Sequence, residues 1–278
     1  MHILITGASG NLASGITGPL ATRHELRLSD IVPVETAHEF VLADVRDRDT
    51  MIAAAEGIDV IVHTPAWHGI HLSSRSESEF WDLNVTGTFN MFQAAVVNGV
   101  RKVVWMSSQS VHGNDNIYGL TKIAGEELCR FYERVHGIRC IMLRPADFTP
   151  YLTNKQYGER LLRGGVDRRD VHHAAILAVE NETVTCDAFA VVRDDPFTAG
   201  DVNDWQHDPA SVLERYFPGA RALVERFDLS IPERIAQSDV SDIQSKLGYR
   251  PRYNFFSFLG DLAERDRQGD AASWLARM

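Results

Sequence analysis

Three residues in the stretch SSQSVHGNDNIYGLTK carry side chains suited to moving a proton. They are Ser108, Tyr118 and Lys122, and the tyrosine and the lysine are four residues apart. Residues at that spacing share one face of a helix, so the lysine can lie beside the tyrosine. A free phenol has a pKa of about 10, but a neighbouring ammonium and an oxidised nicotinamide ring favour the phenolate. The set predicts hydride chemistry in which Tyr118 moves the proton and Ser108 holds the substrate oxygen.

The same spacing occurs a second time, so the spacing alone does not identify a catalytic Tyr–Lys pair. Tyr151 and Lys155 are also four residues apart, but they follow Pro150, and no serine ends a strand before them. We interpret this second pair as coincidental. For Tyr118 the alternative is a helix that begins with a tyrosine and happens to carry a lysine, and the surrounding elements must distinguish the two.

Short apolar runs alternate with helical patterns through the first half of the chain. Strands are predicted at 2–6, 25–30, 39–44, 59–64, 102–107 and 139–144. Two of the predicted helices, at about 77–98 and 118–136, carry an apolar stripe. The alternation predicts an α/β fold with a doubly wound parallel sheet, whose ligand lies at the carboxyl ends of the strands.

The stretch ITGASGNLASG follows the first predicted strand and opens a helix. Gly7 and Gly10 stand where the backbone turns tightly and can approach a pyrophosphate, which a helix N-terminus attracts. Asp30 ends the second strand, where a carboxylate can accept both ribose hydroxyls and repel a 2′-phosphate. These features predict a Rossmann-type site for NAD rather than NADP, with Asp44 and Val45 flanking the adenine.

The second half of the chain is less regular. A helical pattern at 171–181 and a strand at 187–192 predict that the chain rejoins the sheet, and turns and short helices follow. The predicted organisation is a Rossmann NAD-binding domain of residues 1–150, with elements of about 166–192 rejoining it, and a smaller substrate-binding lobe of 151–165 and 193–278.

The amino-acid composition argues against several functional classes of protein. The 278 residues include 28 basic and 38 acidic side chains, for a formal net charge of −10. This acidic surplus argues against binding to nucleic acid or to an anionic membrane. The three cysteines have no metal-binding spacing, and the N-terminus has no signal-peptide pattern. We therefore expect a cytoplasmic protein.

The order of several motifs resembles the extended short-chain dehydrogenases/reductases, and most closely the NAD-dependent epimerase/dehydratase family. The resemblance runs from Met1 to about Pro145 and continues more faintly through 166–192 and 246–253. TGASGNLA resembles the family's cofactor turn and SSQSVHG its serine motif. The other matching motifs are VHTPA, NVTGT, YGLTK and LRP. The resemblance implies the same fold, an enzyme, and NAD as cofactor.

The resemblance also implies roles for individual residues. Asn84 is expected to orient the proton relay, which makes Ser108, Tyr118, Lys122 and Asn84 the expected catalytic set. The expected cofactor-binding residues are Gly7, Gly10, Asn11, Leu12, Asp30, Asp44, Val45, Thr64, Pro65, Ala66, Tyr118, Lys122 and Pro145. The expected substrate-binding residues are Trp67, His68, Ser108, Gln109 and Asp147.

The sequence leaves two classes of substrate open, which are free sugars or sugar acids and nucleotide sugars. The ten-residue connection from Ser108 to Tyr118 is about half as long as in relatives that act on nucleotide sugars, and Asp147 is an awkward neighbour for a diphosphate. We expect hydride transfer at a secondary alcohol of a sugar or sugar acid, as in the family's uronate dehydrogenases. The alternatives are a nucleotide-sugar epimerase and a non-catalytic NAD-binding regulatory protein.

Two polar clusters bear on metal and anion binding, and two helices bear on the oligomeric state. His63, His68 and His71 have no carboxylate or thiol partner at a zinc spacing, so no metal is expected. The arginines within 160–169 either bind a substrate anion or form a solvated face. In the resembled family, helices such as 77–98 and 118–136 pair across a two-fold axis, so a homodimer is expected. The alternative is that their apolar stripes pack wholly on the chain's own sheet.

Overall fold

A computed structural model of the chain describes residues 1–113 and 115–277. The chain divides into two units. The first comprises Met1–Pro145 and His172–Ala190, and the second comprises Ala146–Val171 and the residues from Val191 onward. The assignment of substrate binding to the smaller unit stays a prediction.

In the part of the chain that the structure describes, seven strands form one sheet in the order β3-β2-β1-β4-β5-β6-β7. The neighbouring strands from β3 to β6 pair in parallel. The strands are β1 (His2–Thr6), β2 (Glu25–Asp30), β3 (Glu39–Leu42), β4 (Val60–His63), β5 (Lys102–Met106), β6 (Arg139–Pro145) and β7 (Cys186–Val191). The chain order reverses between β1 and β4, which is the point where open α/β sheets bind their ligands. The predicted doubly wound sheet is confirmed.

The central strands are buried on both faces, which explains their continuous apolar runs. Every residue of β4 and of β5 is buried, including His63 and Lys102. Parallel strands covered by helices on both sides require such sequences. The helices of the first unit are α1 (Asn11–Ala21), α2 (Arg48–Ala54), α3 (Glu77–Trp81), α4 (Gly87–Asn98) and α5 (Ile117–His136), and α7 (Arg168–Glu180) runs from the second unit into the first.

The region predicted as one helix over 77–98 contains a π-helical turn at Asp82–Thr86, between α3 and α4. The turn has a packing reason. Phe80 and Phe92 are both fully buried although they are twelve residues apart, and in a regular α-helix they would point about 120° apart. One extra residue in a π turn brings the two side chains to within about 20° of each other. Asn84 lies in this turn.

The helix α5 packs very closely against β5. A Cβ atom at Gly125 would lie 2.2 Å from a ring carbon of Trp105, so the helix approaches the indole at a point where it has no side chain. At the start of α5 the Asn116 side chain accepts a hydrogen bond from the Gly119 N–H. This cap places Tyr118 in the first turn of the helix.

The apolar residues of α4 and α5 are divided between core and surface. Phe92 and Tyr132 are buried and stacked, with ring centres 4.4 Å apart. Phe89 and Phe131 remain 42% exposed, and both rings lie beside Tyr132. The stripes are therefore not wholly used by the chain's own sheet.

The second unit has its own apolar core, in which Trp205, Phe255 and Phe258 are fully buried. Its further helices are α6 (Asn154–Leu162), α8 (Ala199–Trp205), α9 (Pro209–Tyr216), α10 (Ala220–Arg226), α11 (Ser241–Leu247), α12 (Phe255–Gln268) and α13 (Ala271–Leu275). Within the described residues, no helix combines the length and the apolar character that crossing a membrane requires.

Candidate active site

The turn after β1 is shaped for close approach by a ligand. Gly7 has a φ of 75°, and a Cβ atom there would lie 2.4 Å from the Thr64 hydroxyl oxygen. That hydroxyl donates a hydrogen bond of 2.7 Å to the carbonyl of Thr6. Gly10 precedes α1, and no side chain caps this helix, so its first N–H groups have no side-chain acceptor at the positive end of the helix. The turn fits a dinucleotide pyrophosphate.

Asp30 lies at the carboxyl end of β2, as the sequence predicts. One carboxylate oxygen accepts hydrogen bonds of 2.8 Å from both the N–H and the hydroxyl of Ser9, and the other accepts from the Val32 N–H. These bonds fix the carboxylate next to the glycine turn, and its binding to the hydroxyls of an adenosine ribose stays a prediction.

Asp44 and Val45 follow β3, and the structure gives each a partner that the sequence does not reveal. The Arg46 guanidinium donates hydrogen bonds to both oxygens of Asp44 and holds the pKa of that carboxyl below its usual value. Val45 packs against Gly87 of α4, where a Cβ atom would lie 2.7 Å from it. Asp44 is therefore ion-paired with Arg46, and a position of Asp44 and Val45 beside the adenine stays a prediction.

Tyr118 and Ser108 come together although ten residues separate them. Tyr118 is only 8% exposed. Burial raises the pKa of its phenol, and a hydrogen bond with Ser108 acts in the opposite direction. The Ser108 oxygen also accepts from the Ser110 N–H at 3.1 Å, which holds the hydroxyl at the carboxyl end of β5.

Lys122 lies one turn after Tyr118 and is buried. Its Nζ donates a hydrogen bond of 2.6 Å to the Met106 carbonyl, and lies 4.8 Å from the centre of the Trp105 ring and 5.8 Å from that of Tyr118. Burial lowers the pKa of this ammonium to about 7. The protonation of Lys122 is therefore poised near neutral pH.

Asn84 connects the π turn to two other segments. Its side-chain oxygen accepts from the Trp67 N–H at 2.7 Å, and its amide donates to the Trp67 carbonyl and to the Thr121 hydroxyl at 3.0 Å. Its own carbonyl accepts from the hydroxyl of Thr88. The side chain thus holds the segment after β4 against α5, and a role in a proton relay stays a prediction.

The segment after β4 lies against the phenol. The ring of His68 is 6.1 Å from that of Tyr118, and Gly69 also faces that ring. The Arg75 guanidinium stacks on Trp67 at 4.2 Å from the ring centre. Trp67 and His68 are therefore near the candidate site, while Arg75 is a neighbour that sequence reasoning missed.

The remaining predicted site residues are distributed as follows. Thr64, Pro65 and Ala66 follow β4 directly, Asn11 and Leu12 open α1, and Pro145 ends β6. The Gln109 side chain donates to the Arg144 carbonyl at 3.0 Å. Asp147 belongs to the second unit, where it accepts from the Thr149 N–H and lies 3.7 Å from Arg160.

The other clusters named from the sequence have local explanations. His63 ends β4 with its Nδ1 3.0 Å from the Thr6 hydroxyl, and burial lowers its pKa to about 3. In residues 1–113 and 115–277, no three His, Cys, Asp or Glu side chains gather as metal ligands. Tyr151 precedes α6, which carries Lys155, so the second Tyr–Lys pair does not share a helix face.

Comparison with known proteins identifies relatives along most of the chain. The sequence model of the NAD dependent epimerase/dehydratase family matches residues 3–168. Uronate dehydrogenase from Pseudomonas syringae pv. tomato is 31% identical over 216 residues, which cover 67% of this chain and 77% of that protein. NAD-dependent glucose-6-phosphate dehydrogenase from Haloferax volcanii is 27% identical over 217 residues, covering 64% and 80%.

Solved structures share the fold. A mutant uronate dehydrogenase from Agrobacterium tumefaciens in complex with NAD superimposes with a TM-score of 0.69 at 22% identity, covering 95% of this chain and 89% of that one. A UDP-galactose 4-epimerase gives a TM-score of 0.66 at 22% identity, covering 97% and 99%.

The doubly wound sheet and its glycine turn define a dinucleotide-binding protein of the Rossmann type. Within that class, the chain belongs to the NAD-dependent epimerase/dehydratase family. It is an enzyme, and NAD is its cofactor, so the predicted family, fold class and cofactor are confirmed.

The buried ammonium of Lys122 predicts a trade-off between stability and function. Replacement by Met removes a charge that folding must desolvate, although it leaves the Met106 carbonyl without its donor. We expect Lys122→Met to raise the free energy of unfolding of the cofactor-free protein by about 2–4 kcal/mol at pH 6. Denaturant titration followed by circular dichroism measures this change.

The increase in the free energy of unfolding caused by Lys122→Met should become smaller as the pH rises. The folded pKa of Lys122 is lowered to about 7 from 10.5, so the unfolded chain binds the extra proton between these values and the stability of the unmodified protein rises with pH there. The advantage of Lys122→Met should therefore shrink from pH 7 towards pH 10. Exposed Lys246→Met serves as the control, and a variant less stable than the unmodified protein at pH 6 would contradict the expectation.

Proposed function

We propose that the protein is an NAD-dependent dehydrogenase that oxidises a secondary alcohol of a sugar or sugar acid at Ser108, Tyr118 and Lys122. The observation that carries the proposal is the buried Tyr118–Lys122 pair, in which the amine lies 5.8 Å from the centre of the phenol ring. An amine placed in a core against a backbone carbonyl is costly, and a stabilising role does not explain it.

The proposed reaction assigns one task to each side chain. The Ser108 hydroxyl donates a hydrogen bond to the substrate oxygen. The Tyr118 phenolate accepts the proton of the substrate hydroxyl while the carbinol carbon loses a hydride and becomes a carbonyl carbon. The Lys122 ammonium favours the phenolate by charge. Bound NAD supplies the hydride acceptor, and Gly7, Gly10 and Asp30 would hold it.

The proposed substrate is a free sugar acid. Uronate dehydrogenase from Pseudomonas syringae supports it, because the match covers 67% of this chain at 31% identity. The short connection between Ser108 and Tyr118 supports it as well, since Gln109–His112 form a single 3₁₀ turn. Trp67, His68, Gln109 and Asp147 are the further residues proposed to contact the sugar.

A nucleotide-sugar epimerase is the second candidate. GDP-mannose 3,5-epimerase from rice matches 50% of this chain at 29% identity, which supports it. Asp147 opposes it, because a carboxylate repels a diphosphate. A regulatory protein that binds NAD without turnover is the third candidate, and the presence of Ser108, Tyr118, Lys122 and Asn84 together opposes it.

The test compares two tyrosines. We expect NADH to form when the protein is incubated with NAD⁺ and a uronate, as followed by absorbance. Tyr118→Phe should lower kcat at least a thousandfold with little change in the affinity for NAD, since only the proton acceptor is removed. Tyr151→Phe, the matched control, should retain substantial turnover.

Each contrary result would favour a different function or a different catalytic tyrosine. Interconversion of a nucleotide sugar without release of NADH would favour the epimerase. Turnover in Tyr118→Phe but not in Tyr151→Phe would identify Tyr151, and not Tyr118, as the proton acceptor. Silence with every sugar, uronate and nucleotide sugar would favour the regulatory protein.

Asp30 gives a second prediction, on the choice of cofactor. Its carboxylate repels a 2′-phosphate, so Asp30→Ala should lower the ratio of kcat/KM for NAD over that for NADP by about tenfold or more. Asp49→Ala, a solvent-exposed acid of the same unit, should leave the ratio unchanged. An unmodified protein that prefers NADP would refute the role of Asp30.

We further propose a cytoplasmic homodimer built on α4 and α5. The apolar residues Phe89, Val96, Phe131 and Val135 are exposed on these helices, and such a patch is typical of an interface. A two-fold axis would place each patch against its copy.

The oligomer is tested by mass. Analytical ultracentrifugation should give twice the 31.1 kDa of one chain. Phe131→Glu should shift the protein to monomer, because the interface would bury an unpaired charge. Leu152→Glu, at an exposed apolar residue outside α4 and α5, should remain a dimer. A monomeric unmodified protein would exclude the proposal.

A further inference from the structure

We propose that Glu126 is a positioning residue that keeps Lys122 charged and ties the serine-bearing end of β5 to the catalytic helix. The proposal rests on the proposed function, since it concerns the same proton-transfer site. Glu126 follows Lys122 by one turn of α5 and belongs to none of the motifs recognised in the sequence.

The Glu126 carboxylate is buried and completely bonded. It is 2% exposed. One oxygen accepts from the Ser107 hydroxyl at 2.6 Å and from Nε of Arg144 at 2.7 Å. The other accepts from Nη2 of Arg144 at 2.6 Å and of Arg130 at 2.9 Å. Charge-assisted bonds of this length are among the stronger ones in proteins.

These bonds keep the carboxylate ionised in spite of its burial. Burial alone would raise the pKa of Glu126, but the hydrogen bonds from Arg144 and Ser107 outweigh it, and the pKa lies below its usual value. A negative charge is therefore present one helical turn from Lys122 throughout the working pH range.

The same bonds join three elements at the site. Ser107 directly precedes the proposed catalytic Ser108 at the end of β5, and Arg144 directly precedes Pro145 at the end of β6. Because both bind one carboxylate on α5, the distance from Ser108 to Tyr118 and Lys122 is fixed by a rigid polar bridge.

The surroundings of Lys122 show why a nearby anion matters. Trp105 and the Met106 carbonyl face its amine from β5. The remaining titratable groups near it are His63 of β4, His68 from the segment after β4, and Tyr118, Cys129 and Glu126 of α5. Cys129 would oppose the effect of burial on the ammonium only as a thiolate, and burial raises the pKa of that thiol well above its usual value, so it is neutral near pH 7. Among these groups, Glu126 is therefore the one that carries a negative charge there.

Removing that charge acts on Lys122 in one direction. In Glu126→Gln the ammonium loses its anion, and Arg130 and Arg144 become uncompensated cations. Both changes favour the neutral amine, so the pKa of Lys122 falls. The phenolate of Tyr118 then lacks its stabilising cation at a pH where the unmodified enzyme still has it.

The test measures the pH dependence of turnover in matched variants. Glu126→Gln should lower kcat at least tenfold and move its alkaline limb to lower pH by about one unit. Glu127→Gln removes an exposed carboxylate that also pairs with Arg130, and should change neither. Glu126→Asp keeps the charge with a shorter reach, so it should lower kcat but leave the limb in place.

A second readout does not depend on turnover. The chain has four lysines, Lys102, Lys122, Lys155 and Lys246, so NMR of protein labelled at the lysine ε-carbon resolves each one, and Lys122→Met assigns the signal. The titration midpoint of Lys122 in the cofactor-free protein should fall by about one pH unit in Glu126→Gln and stay unchanged in Glu127→Gln.

The outcomes separate this inference from the proposed function. If no sugar is oxidised but the Lys122 midpoint falls in Glu126→Gln, the charge inference stands and the proposed function fails. An unchanged midpoint in Glu126→Gln overturns the inference, whether or not the protein is an active dehydrogenase. Equal loss of kcat in Glu126→Gln and Glu126→Asp, with the limb unmoved in both, also overturns it and reduces Glu126 to a structural bridge.

Discussion

The hydrogen bond from the Lys122 amine to the Met106 carbonyl is the interaction on which the site depends. It requires an ammonium to enter a protein core, where desolvation opposes its charge. The surrounding structure offsets part of that cost with an indole face, a buried carboxylate one turn away, and a carbonyl at the end of a strand. Each of these has to be held at a fixed distance, so the sheet, the helix and the polar bridge serve the same constraint.

The parallel sheet makes these distances possible. The ends of β1, β2, β4 and β5 supply the glycine turn, Asp30, the Trp67 segment and Ser108 in turn. Residues far apart in sequence meet because parallel strands end at one edge. The helix α5 then brings Tyr118 and Lys122 to the same edge, and Asn84 of the π turn fastens the Trp67 segment to that helix.

Much of the fold could be predicted from the sequence, because strand burial and helix periodicity are local patterns. The runs at 2–6 and 102–107 and the turn at Gly7 identify the sheet and its ligand edge with no knowledge of contacts. The π turn could not be found that way. It allows Phe80 and Phe92 both to be buried. Their neighbours there come from another part of the chain, because Phe80 lies near Tyr118 and Phe92 stacks on Tyr132.

The polar partners in the site were equally hidden from the sequence. Arg46 binds Asp44, a residue expected to flank the adenine, and the Asn84 amide is wholly engaged with Trp67 and Thr121. The only local hint of Glu126 was its spacing of four residues from Lys122. Its hydrogen-bond partners Ser107, after β5, and Arg144, on β6, are 19 and 18 residues away in the sequence. Side-chain hydrogen bonds of this kind leave no periodic pattern in a sequence.

The close packing of α5 at Gly125 has a consequence for how this site could change over time. A lysine has a fixed covalent length, so its amine reaches the Met106 carbonyl only while the helix axis keeps its present clearance from the strand. That clearance is set where the helix has a hydrogen atom in place of a side chain, with the Trp105 ring directly against it. A residue that performs no chemistry thus limits which neighbours the chemistry can tolerate, and repacking of the indole and of position 125 would have to occur together.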